Sequence, residues 1–321
     1  MALKSKPNEL AITRVYDAPV KAVWDAWTDP QQAAQWWGPR GFTITTHHKD
    51  LRPGGTWDYT MHGPDGTDYP NITTYYEVEK YARLVYDHGA SAGKPPLFRV
   101  TVEFKEVKGK TVMEMIMALP TEDAALQTKK FIKQAGGNAT WDRLAEYLDK
   151  QISGKEKFVI NRTFDVSVET MFEVWTNPEH FVRWLPPTGF TMKFLRADIN
   201  VGQKTFYHMT NNQGVDMYGQ THYLEISRPH KIVYTQDFRT KDGEISRHPG
   251  APQWPETMLT TVLFSDEGSN QTRITVTWEP HGPVTSTELQ AFIKERGGMT
   301  QGWTGSFDKL EDYLKTNFSK K

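Results

Sequence analysis

One stretch of this chain is written twice. Arg14-Val15-Tyr16-Asp17, Trp27-Thr28-Asp29-Pro30, Trp36, Pro39 and Gly41-Phe42-Thr43 return as Arg162-Thr163-Phe164-Asp165, Trp175-Thr176-Asn177-Pro178, Trp184, Pro187 and Gly189-Phe190-Thr191, at a constant offset of 148 (162 − 14). The same offset carries Asp50 onto Asp198, Gly54 onto Gly202, Tyr59 onto Tyr207, Met61 onto Met209, Gly66 onto Gly214 and Tyr86 onto Tyr234. A period of roughly 20 to 50 residues marks a solenoid or propeller, whereas one near this length is a whole globular domain with its own core. The chain is therefore read as two similar domains, residues 1–150 and 155–321, with a linker over 149–157.

Each copy opens with a short strand, 10–16 in the first. Val20, Val23, Trp24 and Trp27 follow at the i, i+3, i+4, i+7 spacing of one helical stripe, with Pro19 expected at the first helical position. Val168, Met171, Phe172 and Trp175 repeat the stripe, with Ser167 as a possible cap. Asp29-Pro30 and Asn177-Pro178 each end that helix and begin a second, because a short polar side chain caps the next turn and proline suits its first position. After Gly41-Phe42 the pattern alternates, which predicts strands at 42–50, 56–62, 71–79, 83–88, 97–106 and 110–118. Their partners lie near 190–198, 203–210, 218–226, 231–238, 257–265 and 271–279. The links are too short for parallel crossovers, so about seven antiparallel strands are expected per copy.

A last helix supplies the cover for the sheet, through Trp141, Leu144 and Leu148 in one copy and Trp303, Phe307, Leu310 and Leu314 in the other. Thr285-Ser286-Thr287-Glu288 reads as a capping box for a short helix before it. If Phe131 answers to Phe292 (offset 161) and Leu144 to Leu310 (offset 166), copy one lacks five residues between Gly136-Gly137 and its last helix. Copy two also has a longer loop, 240–256, rich in proline and charge.

Composition excludes several classes. The 38 basic and 39 acidic residues balance, and no Lys/Arg run is long enough to track a phosphate backbone, so nucleic acid is not an expected partner. No segment reaches the 18 or so apolar residues of a membrane span, and residues 1–8 lack the apolar core of a signal peptide. A cytoplasmic protein is expected. With no Cys there is neither a disulfide nor a thiolate site. No Walker A loop, dinucleotide fingerprint, HExxH or GxSxG is present, and nothing calls for a cofactor.

Asp17-Ala18-Pro19-Val20, Val23-Trp24, Trp27-Thr28-Asp29-Pro30, Trp36-Trp37-Gly38-Pro39, Gly41-Phe42 and Asp50-Leu51-Arg52-Pro53-Gly54-Gly55 together resemble the SRPBCC superfamily. Within it, the chain is similar to the branch related to the C-terminal domain of the activator of Hsp90 ATPase. Gly302-Trp303, Phe307-Asp308-Lys309-Leu310 resemble that branch's closing helix, of which copy one keeps Trp141-Asp142-Arg143-Leu144. The resemblance implies an α+β chain of two tandem helix-grip (Bet v 1-like) domains. In each, a curved antiparallel sheet wraps a C-terminal helix, leaving a cavity that in this superfamily holds small apolar or amphipathic molecules.

Trp37, Trp57, Tyr59, Met61, Tyr75 and Trp141 are the candidate pocket residues of copy one; Trp184, Tyr207, Met209, Tyr223, Trp278 and Trp303 are those of copy two. A lining of aromatics, Met and a few hydroxyls suits an apolar ligand with one polar handle. Core packing is the competing reading, since residues common to both copies mostly report what the fold needs. Thr73-Tyr75-Glu77 and Thr221-Tyr223-Glu225 form a polar-leaning strand face. A Glu there could act as an acid or base if it faced the cavity, though the wet side of the sheet is its usual place. His47 and His48 point to opposite faces of a strand, and neither they nor His62, His88, His208 and His222 carry a metal-site pattern. No catalytic or metal residue is assigned.

Three functions follow from the resemblance and the residues. The first is non-enzymatic binding of small hydrophobic or amphipathic ligands, with copy two the better site because its family motif is fuller. The second is a chaperone-linked partner-binding protein. The third is an aromatase/cyclase-like or detoxifying enzyme.

Overall fold

The structure, a computed structural model, describes residues 5–91, 94–134, 139–268 and 270–318. The chain divides into two compact units, Ala2–Gly154 and Lys155–Lys321.

In the first unit β1 (Glu9–Tyr16) leads into α1 (Val20–Thr28) and α2 (Pro30–Trp36). β2 (Thr43–Lys49), β3 (Thr56–His62), β4 (Asp68–Glu79), β5 (Arg83–Ala90), β6 (Phe98–Val107) and β7 (Lys110–Ala118) follow, then α3 (Glu122–Gln134) and α4 (Ala139–Ser153). The seven strands form one antiparallel sheet in the order β1-β7-β6-β5-β4-β3-β2. Only the closing of β1 onto β7 departs from a plain meander.

The second unit repeats the plan: β8 (Phe158–Phe164), α5 (Val168–Thr176), α6 (Pro178–Trp184), β9 (Phe190–Ala197), β10 (Lys204–Asn211), β11 (Asp216–Ser227) and β12 (Lys231–Arg239). A two-residue strand, β13 (Ile245–Ser246), precedes β14 (Thr257–Gly268), β15 (Gln271–Pro280), α7 (Ser286–Lys294) and α8 (Arg296–Asn317). Its sheet order is β8-β15-β14-β12-β11-β10-β9, with β13 paired to β12. The long loop of copy two thus holds a strand that its sequence, without alternation over enough residues, does not announce.

Local chemistry accounts for the helix ends. The Asp29 carboxylate accepts from the backbone N–H groups of Gln31 and Gln32, and Asn177 accepts from Glu179, so Pro30 and Pro178 occupy first-turn positions where no N–H is needed. Ser167 caps α5, and Thr285 with Glu288 forms the reciprocal capping box of α7. Pro19, expected as the first helical residue, is instead the extended residue before α1, with ψ at 152°.

Each closing helix buries its apolar stripe against the sheet and the first helix. Trp141 stacks on Trp27 with ring centroids 5.0 Å apart, and Trp303 stacks on Trp175 at 6.1 Å. Trp27 and Trp175 are equivalent, so Trp141 and Trp303 reach the same partner from positions one turn apart. Tyr147 bonds Gln32 and Tyr313 bonds His180 (32 + 148), which sets the closing helices at an offset of 166 (313 − 147) and supports the pairing of Leu144 with Leu310. The Gly136-Gly137 segment, to which the sequence assigned a five-residue deficit, lies outside the described residues. Arg143 Nη1 donates to the carbonyls of Gly38, Pro39 and Phe42 at 2.9, 2.8 and 3.1 Å, pinning α4 to the turn after α2. In the second unit Ser306 Oγ and Lys309 Nζ make the same attachment to the carbonyls of Leu185 and Pro186. Each fully buried Leu or Phe on these helices contributes about 1.5 to 3 kcal/mol of apolar burial. Leu144, Phe307 and Leu310 are all fully buried. Among the described residues no helix is long and apolar enough to cross a membrane.

Candidate functional site

The larger cavity lies in the second unit, between the concave face of the sheet and the N-terminal half of α8, with a volume of about 360 Å³. Tyr207 and Met209 reach it from β10, Met217 from β11, Tyr234, Gln236 and Phe238 from β12, and Trp278 from β15. Met299, Gly302, Trp303 and Ser306 line it from α8. The 240–256 loop adds His248, Ala251 and Trp254. This loop is held in place: β13 pairs Ser246 with Phe238, Arg247 donates to the Trp254 carbonyl and to Glu288 Oε1, both at 2.6 Å, and Trp254 packs on Phe292 at 5.7 Å.

The smaller cavity, about 200 Å³, occupies the corresponding place in the first unit and is lined by Trp37, Met61, Tyr86, His88, Phe98, Met115, Met117 and Trp141 among others. Its polar groups satisfy one another. Trp37 Nε1 donates to the Tyr59 hydroxyl at 3.2 Å, and that hydroxyl lies 3.5 Å from His88 Nδ1. Tyr59 is fully buried against Trp57, ring to ring at 4.3 Å.

The equivalent Tyr207 is placed otherwise. Its neighbours have changed at the same offset: Leu185 stands for Trp37, Thr205 for Trp57, Gly219 for Asn71 and Gln236 for His88. Gly219 lies opposite Tyr207 in the β10–β11 register, and a Cβ on it would sit 2.3 Å from the Tyr207 hydroxyl oxygen. The glycine is what lets the ring lie across β11. Among the described residues no protein group hydrogen-bonds the Tyr207 hydroxyl or the Gln236 amide. Burial, with the Asp237 carboxylate as a smaller cause, pushes the Tyr207 phenol up to about 12, so it remains a protonated donor. Desolvation likewise raises Tyr234.

The sequence candidates divide. Trp37, Met61, Trp141, Tyr207, Met209, Trp278 and Trp303 stand on cavity walls. Trp57, Tyr59, Tyr75, Trp184 and Tyr223 do not: they are buried in the aromatic core behind the cavities, where alternation alone cannot separate a packed side chain from a lining one. Glu77 and Glu225 lie outside both cavities, because a β-bulge follows Tyr75 and Tyr223 and resets the alternation. They pair instead with Arg83 at 2.8 Å and Lys231 at 2.7 Å. Gln236, His248, Trp254, Met217, Met299 and Gly302 escape the sequence reading; the loop of copy two was the signal that pointed at His248 and Trp254.

Burial holds the His88 imidazole down to about 4. An unfolded histidine titrates near 6.5, so between those values the unfolded chain binds a proton that the folded one refuses, and stability falls as pH drops through that window. Replacing His88 with Gln, the residue of copy two, should remove on the order of 1–3 kcal/mol of the stability lost between pH 7 and pH 4. Urea unfolding at the two pH values checks this; an unchanged loss would remove His88 as its source.

Two tandem helix-grip domains, each with an apolar cavity beneath its closing helix, define a protein of the SRPBCC, Bet v 1-like type. The chain belongs to the family described as activator of Hsp90 ATPase homolog 1-like protein, whose model matches residues 17–149 and 165–315. Solved structures similar to it include a protein of Arthrobacter aurescens (26% identity, 47% of this chain and 91% of that one, TM-score 0.42). Another is from Nitrosomonas europaea (22%, 46% and 99%, TM-score 0.42). DynU16, from the dynemicin biosynthetic locus, aligns along nearly the whole chain (16%, 95% and 98%, TM-score 0.34). No curated protein matches.

Proposed function

We propose that the second domain binds one small, mainly apolar molecule in the cavity between its sheet and α8, and that the first domain does not share this role. The observation that carries the reading is the contrast between the two tyrosines. Tyr59 is closed into a network with Trp37 and His88, whereas Tyr207 and Gln236 reach a cavity of about 360 Å³ without protein partners. A space of that size, walled by Trp, Met and Phe with a few polar groups, falls in the range of pockets that enclose small molecules. The Tyr207 phenol stays protonated at neutral pH and so offers a hydrogen bond rather than a base.

Native mass spectrometry of the purified chain, followed by denaturing extraction, tests the proposal. One small molecule per chain is expected, or one adduct of the uncharged probe N-phenyl-1-naphthylamine where the protein is purified empty. Neither a retained compound nor a probe adduct would reject it.

A further inference from the structure

Resting on that reading of the cavity, we infer that its ligand is an uncharged aromatic compound carrying a hydrogen-bond-accepting oxygen, and that the 240–256 loop recognises this oxygen through His248, next to Gln236.

The polar groups gather at one end of the cavity. Gln236 and Phe238 are two residues apart on β12 and so share a face of the sheet. The His248 ring meets Phe238 edge-on at 5.0 Å, which brings the loop's imidazole to the Gln236 end of the wall. Its tautomer follows from a local contact. The Gly250 backbone N–H donates to His248 Nδ1 at 3.1 Å, so in the neutral ring Nδ1 carries the lone pair and Nε2 carries the proton. Burial lowers the affinity of this ring for a second proton, with Glu295 opposing to a smaller extent. Among the described residues Nε2–H has no protein acceptor. The site therefore presents a neutral donor, beside an amide, at the end of an apolar chamber.

Charge narrows the class further. Among the described residues Glu295 is the one formally charged residue on the cavity wall, and no Lys or Arg lines it. An anion entering the cavity would lose its hydration, find no counter-charge and meet a carboxylate at the rim. A cation would gain little from Glu295, which is exposed. A neutral ketone or phenol keeps the hydrogen bond and avoids both costs. The aromatic body is matched by Trp254, Trp278, Trp303 and Phe238, with Met209 and Met299 as adaptable walls.

Copy one joins the corresponding strands β5 and β6 through the shorter link 91–97, in whose sequence there is no His or Trp, so this recognition belongs to the second domain alone. Three probes of one shape separate the possibilities: naphthalene, 2-acetylnaphthalene and 2-naphthoate, each titrated into the full chain at pH 8 and followed by tryptophan fluorescence. The ketone is expected to bind about tenfold more tightly than naphthalene, the factor of one net hydrogen bond, and naphthoate more weakly than either. In His248→Phe the ratio of ketone to naphthalene affinity should fall to about one, and His248→Gln, which retains a donor, should restore most of that preference. Equal binding of ketone and hydrocarbon, a preference that survives His248→Phe, or tightest binding of naphthoate would each overturn the inference while leaving an apolar binding site in place. Failure of all three probes to bind would remove the binding reading itself.

Discussion

Replacing Phe307 with Ala should cost the second domain about 3 to 5 kcal/mol, the range for deleting a buried aromatic from a core that cannot close over the gap. Phe307 is fully buried on α8, with its ring 5.6 Å from Phe164 of β8 and 5.3 Å from Trp303. Trp303 in turn stacks on Trp175 of α5, which touches Trp184 at 4.6 Å. Each ring is held by the next, and large planar side chains cannot move into the vacated space without breaking these contacts. The loss is measured by urea unfolding, and hydrogen exchange should place it within residues 155–318. A cost below about 1 kcal/mol would mean that α8 does not close this core, because even a partly exposed aromatic face contributes that much.

Gly219→Asn should also destabilise the second domain, by less, and in a manner specific to the cavity. The Cβ it introduces would lie 2.3 Å from the Tyr207 hydroxyl oxygen and 2.4 Å from Cζ, so the rigid ring has to leave its place. Overpacking of this kind costs about 1 to 3 kcal/mol. Asn is the residue of the first domain at this position, where the corresponding tyrosine points into the Trp37 and His88 network. In a Tyr207→Ala background the clash is gone, so a double-mutant cycle on thermal stability should show a coupling of about 1 to 2 kcal/mol. Strictly additive effects would show that Gly219 is not there to make room for the tyrosine.

These two positions also mark how far the sequence could be read. The domain plan and the strands were legible because duplication tests every pattern twice: Val20 to Trp27 and Val168 to Trp175 report one helical face from different letters. Tyr207 and Met209 were legible as residues of one strand face. The same alternation could not distinguish Tyr223, packed in the core, from Tyr207, which lines space, since both are apolar-facing and only the three-dimensional path of the sheet separates them. Glu77 and Glu225 lie on the wet side that is usual for such residues, carried off the Tyr75 and Tyr223 face by bulges that no residue type announces. The determinants that set the cavities apart lie where the copies differ, at Leu185, Gly219, Gln236 and the 240–256 loop, and a search for what the copies share passes over all of them. Gly219 could have been singled out as the glycine that replaces Asn71 within a strand, where a missing Cβ signals close approach of another group.

On the proposed reading one cavity, that of the second domain, holds the ligand. Gly302 lines that cavity from within α8, and a Cβ added to it meets no atom within 4 Å, so the Gly302→Phe side chain leaves the helix through open space beside the cavity and replaces a poor helix former with a better one. Fluorescence titration of the wild-type chain with N-phenyl-1-naphthylamine should saturate at one equivalent, and Gly302→Phe should abolish that binding with an unchanged or higher melting temperature. Two equal equivalents on the wild-type chain, or one that persists in a folded Gly302→Phe variant, would contradict it.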